Sequence, residues 1–194
     1  MAEHHLSKPP FVIDYQAEWP ARATAFADDL SVRLGPLAAR IEHIGSTSVP
    51  AMAAKDIIDL QISTPDLDAA ALAFGDPLRD LGFVGWPYAY DHVPAGRNDS
   101  QEQWAKRFWS RDDHPGGAVN LHVRVIGSAN ERLALLFRDW FRSHPAAVPA
   151  YAEFKRRLAA LTPDTFSYAD AKDPVVDVVI VAAENWAASV GWQP

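Results

Sequence analysis

The sequence predicts an α+β fold in which residues 1–194 form a single domain with a helical C-terminal third. Three observations predict this class. Residues that favour the core alternate with polar residues in segments 55–63 and 118–126, the period of a β-strand. Apolar residues recur every three or four positions between 20 and 34, the period of a helix. After Gly127, long helical segments are separated by prolines.

The elements of the first half follow from these periods and from their stop signals. A helix over 20–34 ends at a glycine, and a strand over 39–44 precedes the strand over 55–63. The segment 64–82 is typical of a capped helix, and we expect Gly75-Asp76-Pro77 to break it, because proline removes a backbone donor.

The second half begins with a short strand inside 83–90 and a polar loop over 91–103. Segments 104–110 and 118–126 are predicted to pair as strands across a turn at 111–117, whose Pro-Gly-Gly favours a turn over a metal-binding loop. The helical C-terminal part, 129–190, is predicted to contain helices at 129–143, 146–161 and 168–188.

Composition excludes several classes of function. The chain of 194 residues has 48% apolar and 22% charged residues, which is ordinary for a globular domain. Its net charge of −7 argues against an extended nucleic-acid face but leaves room for one basic pocket. Because there is no cysteine, disulfides, thiolate metal sites and a cysteine nucleophile are excluded.

The N-terminal segment has no apolar run of the kind that targets a chain for secretion. We expect residues 1–10 to be mobile, and we assign no role to His4 and His5 within them. No segment approaches the length of a membrane span. The sequence therefore predicts a cytoplasmic protein without a membrane partner.

The common nucleotide-binding and hydrolase motifs are absent from this sequence. It contains no G-x-x-x-x-G-K-[ST] loop, no G-x-G-x-x-G fingerprint, no H-E-x-x-H and no G-x-S-x-G. A function must therefore be sought in less familiar patterns.

The most informative stretch is 42–62, EHIGSTSVPAMAAKDIIDLQI. Gly45 and Ser46 precede what we expect to be a short helix, and free N–H groups and hydroxyls there can receive an anion. Asp59 and Gln61 share one face of the following strand, where a carboxylate can hold Mg²⁺ against a phosphate. The alternative is that the hydroxyl residues only cap a helix and that Asp59 faces water.

A second polar pattern lies in the strand NLHVRV. Asn120, His122 and Arg124 alternate with apolar residues, so His122 is expected on the same side of the sheet as Asp59. A histidine there can act as metal ligand, base or phosphate partner, although a hydrogen-bonded surface histidine is the simpler interpretation. The preceding strand carries a basic cluster that can neutralise phosphates or merely form a charged strand face: Lys106, Arg107 and Arg111.

The stretch IEHIGSTSVPAMAAKDIIDLQI closely resembles the signature of the GrpB-like family, an uncharacterised family. The resemblance continues through NLHV, FRDWFRSHP, AYAEFKRRLA and YADAK and covers nearly the whole chain from about Phe11. It implies membership of the nucleotidyltransferase superfamily and a mixed β-sheet core with flanking helices. Similar domains are also fused to dephospho-coenzyme A kinase. This implies that the kinase is a possible partner, and that a role in helping the kinase to fold is an alternative to catalysis.

The superfamily motif is a Gly-Ser followed, after about a dozen residues, by two acidic positions on a strand, and the match here is partial. Gly45-Ser46 and Asp59 fit it, but Gln61 stands at the second acidic position and Asn120 where many relatives have histidine. Gln61 offers one neutral oxygen in place of a carboxylate. The resemblance therefore implies either a site with a single metal ion or a site that binds without transferring.

Taken together, these patterns predict a metal-dependent nucleotidyltransferase acting on a nucleoside triphosphate and an unknown acceptor; the alternative is a non-catalytic module that binds nucleotide or phosphate. Asp59 and His122 are the expected catalytic residues, and Asp59, Gln61 and His122 the expected ligands of Mg²⁺ or Mn²⁺. The expected phosphate-binding residues are Gly45, Ser46, Thr47, Ser48, Lys55 and Arg107.

Overall fold

The computed structural model describes residues 9–112 and 116–194. The mobility predicted for residues 1–10 therefore falls mostly outside the described residues, as does the centre of the turn predicted at 111–117. Among the described residues, no helix combines the length and the hydropathy that crossing a membrane requires.

The centre of the molecule is a mixed five-stranded sheet in the order β1-β2-β5-β4-β3. Strands β2 and β5 run parallel, and every other neighbouring pair is antiparallel. The strands are β1 (Arg40–Ile44), β2 (Ile57–Thr64), β3 (Val84–Trp86), β4 (Lys106–Arg111) and β5 (Ala118–Val125). The predicted class, a mixed sheet with flanking helices, is confirmed.

Helices cover both faces of this sheet. They are α1 (Trp19–Leu34), α2 (Leu67–Asp80), α3 (Ala129–Ser143), α4 (Val148–Leu161) and α5 (Thr165–Val190). Helices α1 and α2 pack on one face, where the large buried side chains of the main core include Trp19, Leu30, Phe74 and Leu78. Helices α3 and α5 pack against each other on the other side through Leu133, Leu136, Ile180 and Ala183. The predicted helical C-terminal part is thus present as three successive helices.

The prediction that Gly75-Asp76-Pro77 breaks the second helix is wrong. Helix α2 continues through Pro77 to Asp80, and Asp66 caps its start by accepting hydrogen bonds from the amides of Asp68 and Ala69. Phe74 and Leu78, on either side of the proline, are fully buried in the core. Their burial outweighs the loss of one hydrogen bond near the helix end.

The expected short helix after Gly45 is reduced to one 3₁₀ turn, Ser46–Ser48. Val49 already has extended backbone angles, and the following Pro50 cannot donate a backbone hydrogen bond. A turn of this length has no appreciable helix dipole, so any anion binding here must depend on side chains and single N–H groups.

Candidate functional site

The floor of the candidate site is formed by the two parallel strands. In the register of β2 and β5, Asp59 lies opposite Asn120, and Gln61 opposite His122. Ile58, Leu60 and Ile62 alternate with these positions and are fully buried on the other face. The Nδ2 group of Asn120 donates a hydrogen bond of 2.9 Å to Asp59 Oδ1, and His122 Nε2 lies 3.9 Å from the same oxygen. The structure thus brings Asp59 and His122 together, as expected from strand alternation.

The surroundings of Asp59 favour its ionised form. Partial burial by itself would raise the pKa of this carboxyl, but His122, Asn120 and Lys55 together lower it to about 2. For His122, burial lowers the pKa of the imidazole, and this effect outweighs the nearby Asp59, which raises it. At neutral pH the pair is therefore a carboxylate beside a neutral histidine, whose Nδ1 lies 3.4 Å from Arg124 Nη2.

Gly45 is required by the close approach of β1 to Asp59. Its φ is +68°, and a Cβ at this position would lie 2.5 Å from Asp59 Oδ2. Any other residue would therefore both strain the backbone and displace the carboxylate. The glycine lets the Ser46–Ser48 turn sit directly beside the acidic group.

The hydroxyl residues of this turn differ in what they can offer. Ser46 and Thr47 line the cavity described below, and Thr47 Oγ1 is 2.9 Å from His43 Nε2. Burial and two nearby arginines lower the pKa of His43 to about 4 in spite of Asp59, so this ring is neutral. Ser48 donates its hydroxyl to Gly45 O at 2.6 Å, which makes it part of the turn and not of the cavity wall.

The structure does not place Gln61 in the position of a metal ligand. Gln61 is fully buried; its Oε1 accepts a 2.6 Å hydrogen bond from Arg124 Nη1, and its Nε2 donates to the backbone oxygen of Glu131 at 3.1 Å. Both ends of the amide are therefore engaged inside the protein. The expectation that Gln61 would be a ligand of the metal ion does not fit the structure for this reason.

Arg107 also lies away from the site. Strand alternation turns its side chain to the face opposite Lys106, where its Nη2 donates to the exposed carboxylate of Asp68 at 2.6 Å. The expectation that Arg107 would neutralise a phosphate at this site does not fit the structure. Its neighbour Lys106 faces the cavity instead.

One wall of the site is a charge network, the Asp91 cluster, formed by Asp91, Lys106, Arg124 and Asn130. Asp91 accepts hydrogen bonds from Lys106 at 2.7 Å, from Arg124 at 2.8 Å and from Asn130 at 2.9 Å. Although burial opposes the charge, Arg124 and Lys106 hold the pKa of Asp91 far below its usual value. Every charge in this cluster has a partner within the protein.

Another part of the cavity wall carries the lysine cluster, which we define as Lys55, Lys155 and Lys172. Lys55 lies just before β2, Lys155 on α4 and Lys172 on α5, and all three line the cavity. No carboxylate of the described residues lies within salt-bridge distance of any of them. Burial is the largest cause that lowers the pKa of Lys55 to about 8 and that of Lys155 to about 6, and Lys172 lowers both further.

Sequence reasoning named Lys55 but missed Lys155 and Lys172. One signal for Lys155 was available, because it falls on the helical stripe of Val148, Tyr151 and Ala152, which are all buried. A lysine on an apolar stripe is rarely buried without a partner. No comparable signal marks Lys172, which only the packing of α5 brings to the cavity.

The cavity that these clusters line has a volume of about 540 Å³. Gly45, Ser46, Asp59 and His122 line its floor, and exposed Tyr88 and Tyr90 stand at its rim. A row of aromatic contacts leads inward from the rim, with Tyr88 6.0 Å from Phe108 and Phe108 5.0 Å from His122 between ring centroids. The size is that of a small-molecule site with both a charged and an aromatic wall.

The donor groups of the site do not form a two-metal centre. In the described part of the chain, no three His, Asp or Glu residues are grouped so that they could hold a metal ion. Asp59 Oδ2 stands beside Gly45 and does not take the Asn120 hydrogen bond. A single Mg²⁺ fits this donor set, because magnesium is commonly held by one or two carboxylates together with the phosphates of its ligand.

Comparisons with known proteins agree with one another. The model of the family described as GrpB protein matches residues 9–181. A dephospho-CoA kinase of Mycolicibacterium paratuberculosis is 34% identical over 96% of this chain and 49% of its own length. The UPF0157 protein YqkA of Bacillus subtilis is 30% identical over 90% of this chain and 47% of its own length. The chain therefore spans about half the length of these curated relatives.

Solved structures give the same result for the fold. The conserved protein GrpB from Enterococcus faecalis superposes with a TM-score of 0.71 at 26% identity, covering 91% of this chain and 99% of that one. The Cid1 poly(U) polymerase in its MgGTP-bound form superposes with a TM-score of 0.51 at 14% identity over 74% of this chain and 43% of its own. The second likeness concerns the fold alone, which is nucleotidyltransferase-like.

Proposed function

This chain belongs to the GrpB protein family, and from that premise we propose that its cavity binds a phosphate-bearing ligand of the nucleotide class. The observation that carries the proposal is the meeting of four features in one cavity: the hydroxyl of Ser46, the carboxylate of Asp59, the ammonium of Lys55 and an aromatic rim. Phosphate needs donors and positive charge, and a base needs an apolar face.

Each group has a definite task in this proposal. Ser46 donates its hydroxyl to a phosphate oxygen, and Lys55 supplies a positive charge that is not already paired with a carboxylate of the described residues. Thr47 holds the turn in place, because its hydroxyl contacts His43 Nε2 at 2.9 Å and Ile57 O at 3.4 Å. Tyr88 and Tyr90 offer ring faces at the rim for the nucleobase. Arg124 and Lys106 already bind Asp91, so they shape the wall and have little charge left for a ligand.

A divalent ion is part of the proposal. Asp59 would hold one Mg²⁺ or Mn²⁺ together with the phosphates of the ligand, and the ion would neutralise charge on those phosphates. His122 would orient Asp59, from which its Nε2 is 3.9 Å away. The cytoplasmic location predicted from the sequence stays part of the same proposal, since nucleotides are supplied there.

A thermal-shift series with ATP and AMP, each with chelator or with excess Mg²⁺, tests this proposal. A ligand that binds only the folded state raises the Tm by mass action, so at least one nucleotide should do so. Asp59→Asn should remove the contribution of Mg²⁺ while keeping the fold, because the amide is nearly isosteric but uncharged. Asp68→Asn, at an exposed carboxylate outside the cavity, is the matched control. A wild-type Tm that no phosphate compound raises would refute the proposal.

Nucleotidyl transfer is a second candidate, favoured by the ionised Asp59 beside a neutral His122. A partly buried histidine that is uncharged at neutral pH can accept the proton of an acceptor hydroxyl as that hydroxyl attacks the α-phosphate and pyrophosphate leaves. For His122 to do so at Nδ1, the acceptor would have to replace the 3.4 Å contact from Arg124 Nη2. If the protein is a transferase, pyrophosphate release from a nucleoside triphosphate should fall in His122→Asn while nucleotide binding persists. Equal release by both forms would exclude this role for His122.

Association with dephospho-CoA kinase is the remaining proposal. Curated relatives that bear this name are about twice as long as the aligned region. In those proteins a region similar to this chain is therefore part of the same polypeptide as the remaining half. We propose that this chain contacts such a kinase when the two are separate. Co-elution of the purified proteins in size-exclusion chromatography would support the contact, and independent elution at micromolar concentration would contradict it.

A further inference from the structure

We propose that Lys155 and Lys172, acting with Lys55, form a subsite for the terminal phosphates of a polyphosphate chain. The ligand class is then a nucleoside triphosphate or another compound with consecutive phosphates, and not a monophosphate. This inference rests on the proposed phosphate-binding function and adds the part of the ligand that the C-terminal helices recognise.

Lys155 is the strongest reason for a subsite at this wall. Its side chain is 2% exposed, it lines the cavity, and its Nζ has no hydrogen-bond partner among the described residues. Leaving such a donor unpaired is costly, since buried amines normally bind a carboxylate or water. A phosphate oxygen in the cavity would supply the acceptor that this amine lacks among the described residues.

The cation–π contacts of this wall do not replace such a partner. Lys155 Nζ lies 5.2 Å from the centroid of the Tyr151 ring, and Lys55 Nζ lies 5.6 Å from that of Tyr168. These contacts favour the charged form but leave the N–H donors free of acceptor oxygens. The two tyrosines therefore contact the amine groups of this wall without supplying an acceptor.

The convergence of three elements points to more than one phosphate. Lys55, Lys155 and Lys172 come from three separate segments and line one cavity. In agreement with this placement, Lys172 lowers the pKa of the other two. The carboxylate that opposes them is Asp59, which raises both pKa values. Each further phosphate in a chain adds negative charge and acceptor oxygens, so a chain of phosphates can use more of the donors that line this cavity with Ser46 than a single phosphate can.

Lys155 also gives the subsite a signature that simple charge attraction lacks. Burial is the first cause that lowers its pKa to about 6; Lys172, Arg156 and Lys55 lower it further, and Asp59 raises it. In the free protein at pH 7.5 the amine is largely neutral, and phosphates around it would favour the ammonium. Binding should therefore be accompanied by proton uptake.

Calorimetric titration with ATP, AMP, inorganic tripolyphosphate and inorganic phosphate tests the subsite, in chelator so that metal plays no part. Wild type should bind ATP and tripolyphosphate at least about tenfold more tightly than AMP and phosphate, since one charge-assisted contact corresponds to about that factor. Lys155→Met and Lys172→Met should each remove most of this difference and leave AMP unchanged. Repeating the ATP titration in two buffers of different ionisation enthalpy should show proton uptake that Lys155→Met loses.

Arg157→Met provides the matched control, because this side chain is on the same helix, is 77% exposed and carries the same charge. It should behave as wild type in every titration.

If AMP and ATP bind with equal affinity and neither lysine variant alters these affinities, the subsite is wrong while the phosphate-binding function stands. If no phosphate compound binds to wild type, both are wrong. Citrate binding as tightly as tripolyphosphate would contradict recognition of phosphate. Lys172 is only half-buried, so its variant keeps the test valid should Lys155→Met fail to fold.

Discussion

Two groups of ionisable side chains line the same cavity, and they differ in whether their members are paired with a carboxylate. In the Asp91 cluster, Lys106, Arg124 and Asn130 all donate to one carboxylate. In the lysine cluster, no carboxylate of the described residues pairs with Lys55, Lys155 or Lys172. Charges that the protein pairs internally hold the structure together, whereas charges left unpaired destabilise the free protein and favour a ligand.

The largest effect is expected on breaking the Asp91 cluster. Arg124→Met leaves Asp91 without its closest guanidinium and Gln61 Oε1 without its donor. Removing one partner of a buried ion pair costs about 3–5 kcal/mol, so the free energy of unfolding should fall by that amount. Urea denaturation followed by circular dichroism measures it. A loss below about 1 kcal/mol, the range of exposed pairs, would mean that this cluster is not a stabilising network.

A substitution in the lysine cluster should raise the free energy of unfolding instead of lowering it. Lys155→Met removes a buried donor without a partner among the described residues and fills the space with an apolar chain of similar length. We expect the free energy of unfolding to rise by about 1–3 kcal/mol, the cost of an unsatisfied buried polar group. The same denaturation experiment, without ligand, measures the gain. Destabilisation of similar size would show that Lys155 has a partner in the free protein and would remove the contrast between the two clusters.

The difference in the free energy of unfolding between wild type and Lys155→Met should depend on pH. The pKa of Lys155 falls from its usual 10.5 to about 6 on folding, so above pH 6 the unfolded chain binds more protons than the folded one. The contribution of the Lys155 amine to the free energy of unfolding therefore increases as the pH rises. The advantage of the variant should be largest near pH 6 and shrink towards pH 8, by no more than about 1.4 kcal/mol per pH unit. Lys55 and the histidines are common to both proteins, so the difference isolates Lys155, and a difference independent of pH would contradict it.

The smallest effect is expected at Arg107, which belongs to neither cluster. Its partner Asp68 is 86% exposed, and exposed ion pairs contribute about 0–1 kcal/mol. Arg107→Met should therefore change the free energy of unfolding by less than about 1 kcal/mol and leave the ATP-induced change in Tm as it is. A reduced response to ATP would return Arg107 to the ligand site and would contradict the placement found here.

Much of the floor of the site, which the parallel strands β2 and β5 form, could be predicted from local sequence. The two-residue period of β-strands places Asp59 and His122 on one side, and it needs no knowledge of the rest of the molecule. The requirement for glycine at position 45 is not local in this sense, because it comes from the approach of Asp59 in the paired strand, which allows no Cβ. Periodicity could not show that Gln61 turns away from a ligand, since its partners Arg124 and Glu131 lie 63 and 70 residues away.

The sequence by itself determined the family, the class of fold, the strand faces and the helical character of the C-terminal third. Only the tertiary structure decided that Arg107 lies outside the cavity and that Lys155 and Lys172 join Lys55 inside it. The physical reason is the range of the forces involved. Strand and helix periods follow from backbone geometry within a few residues. The meeting of three lysines depends on how α4 and α5 pack against the sheet, which the whole core decides.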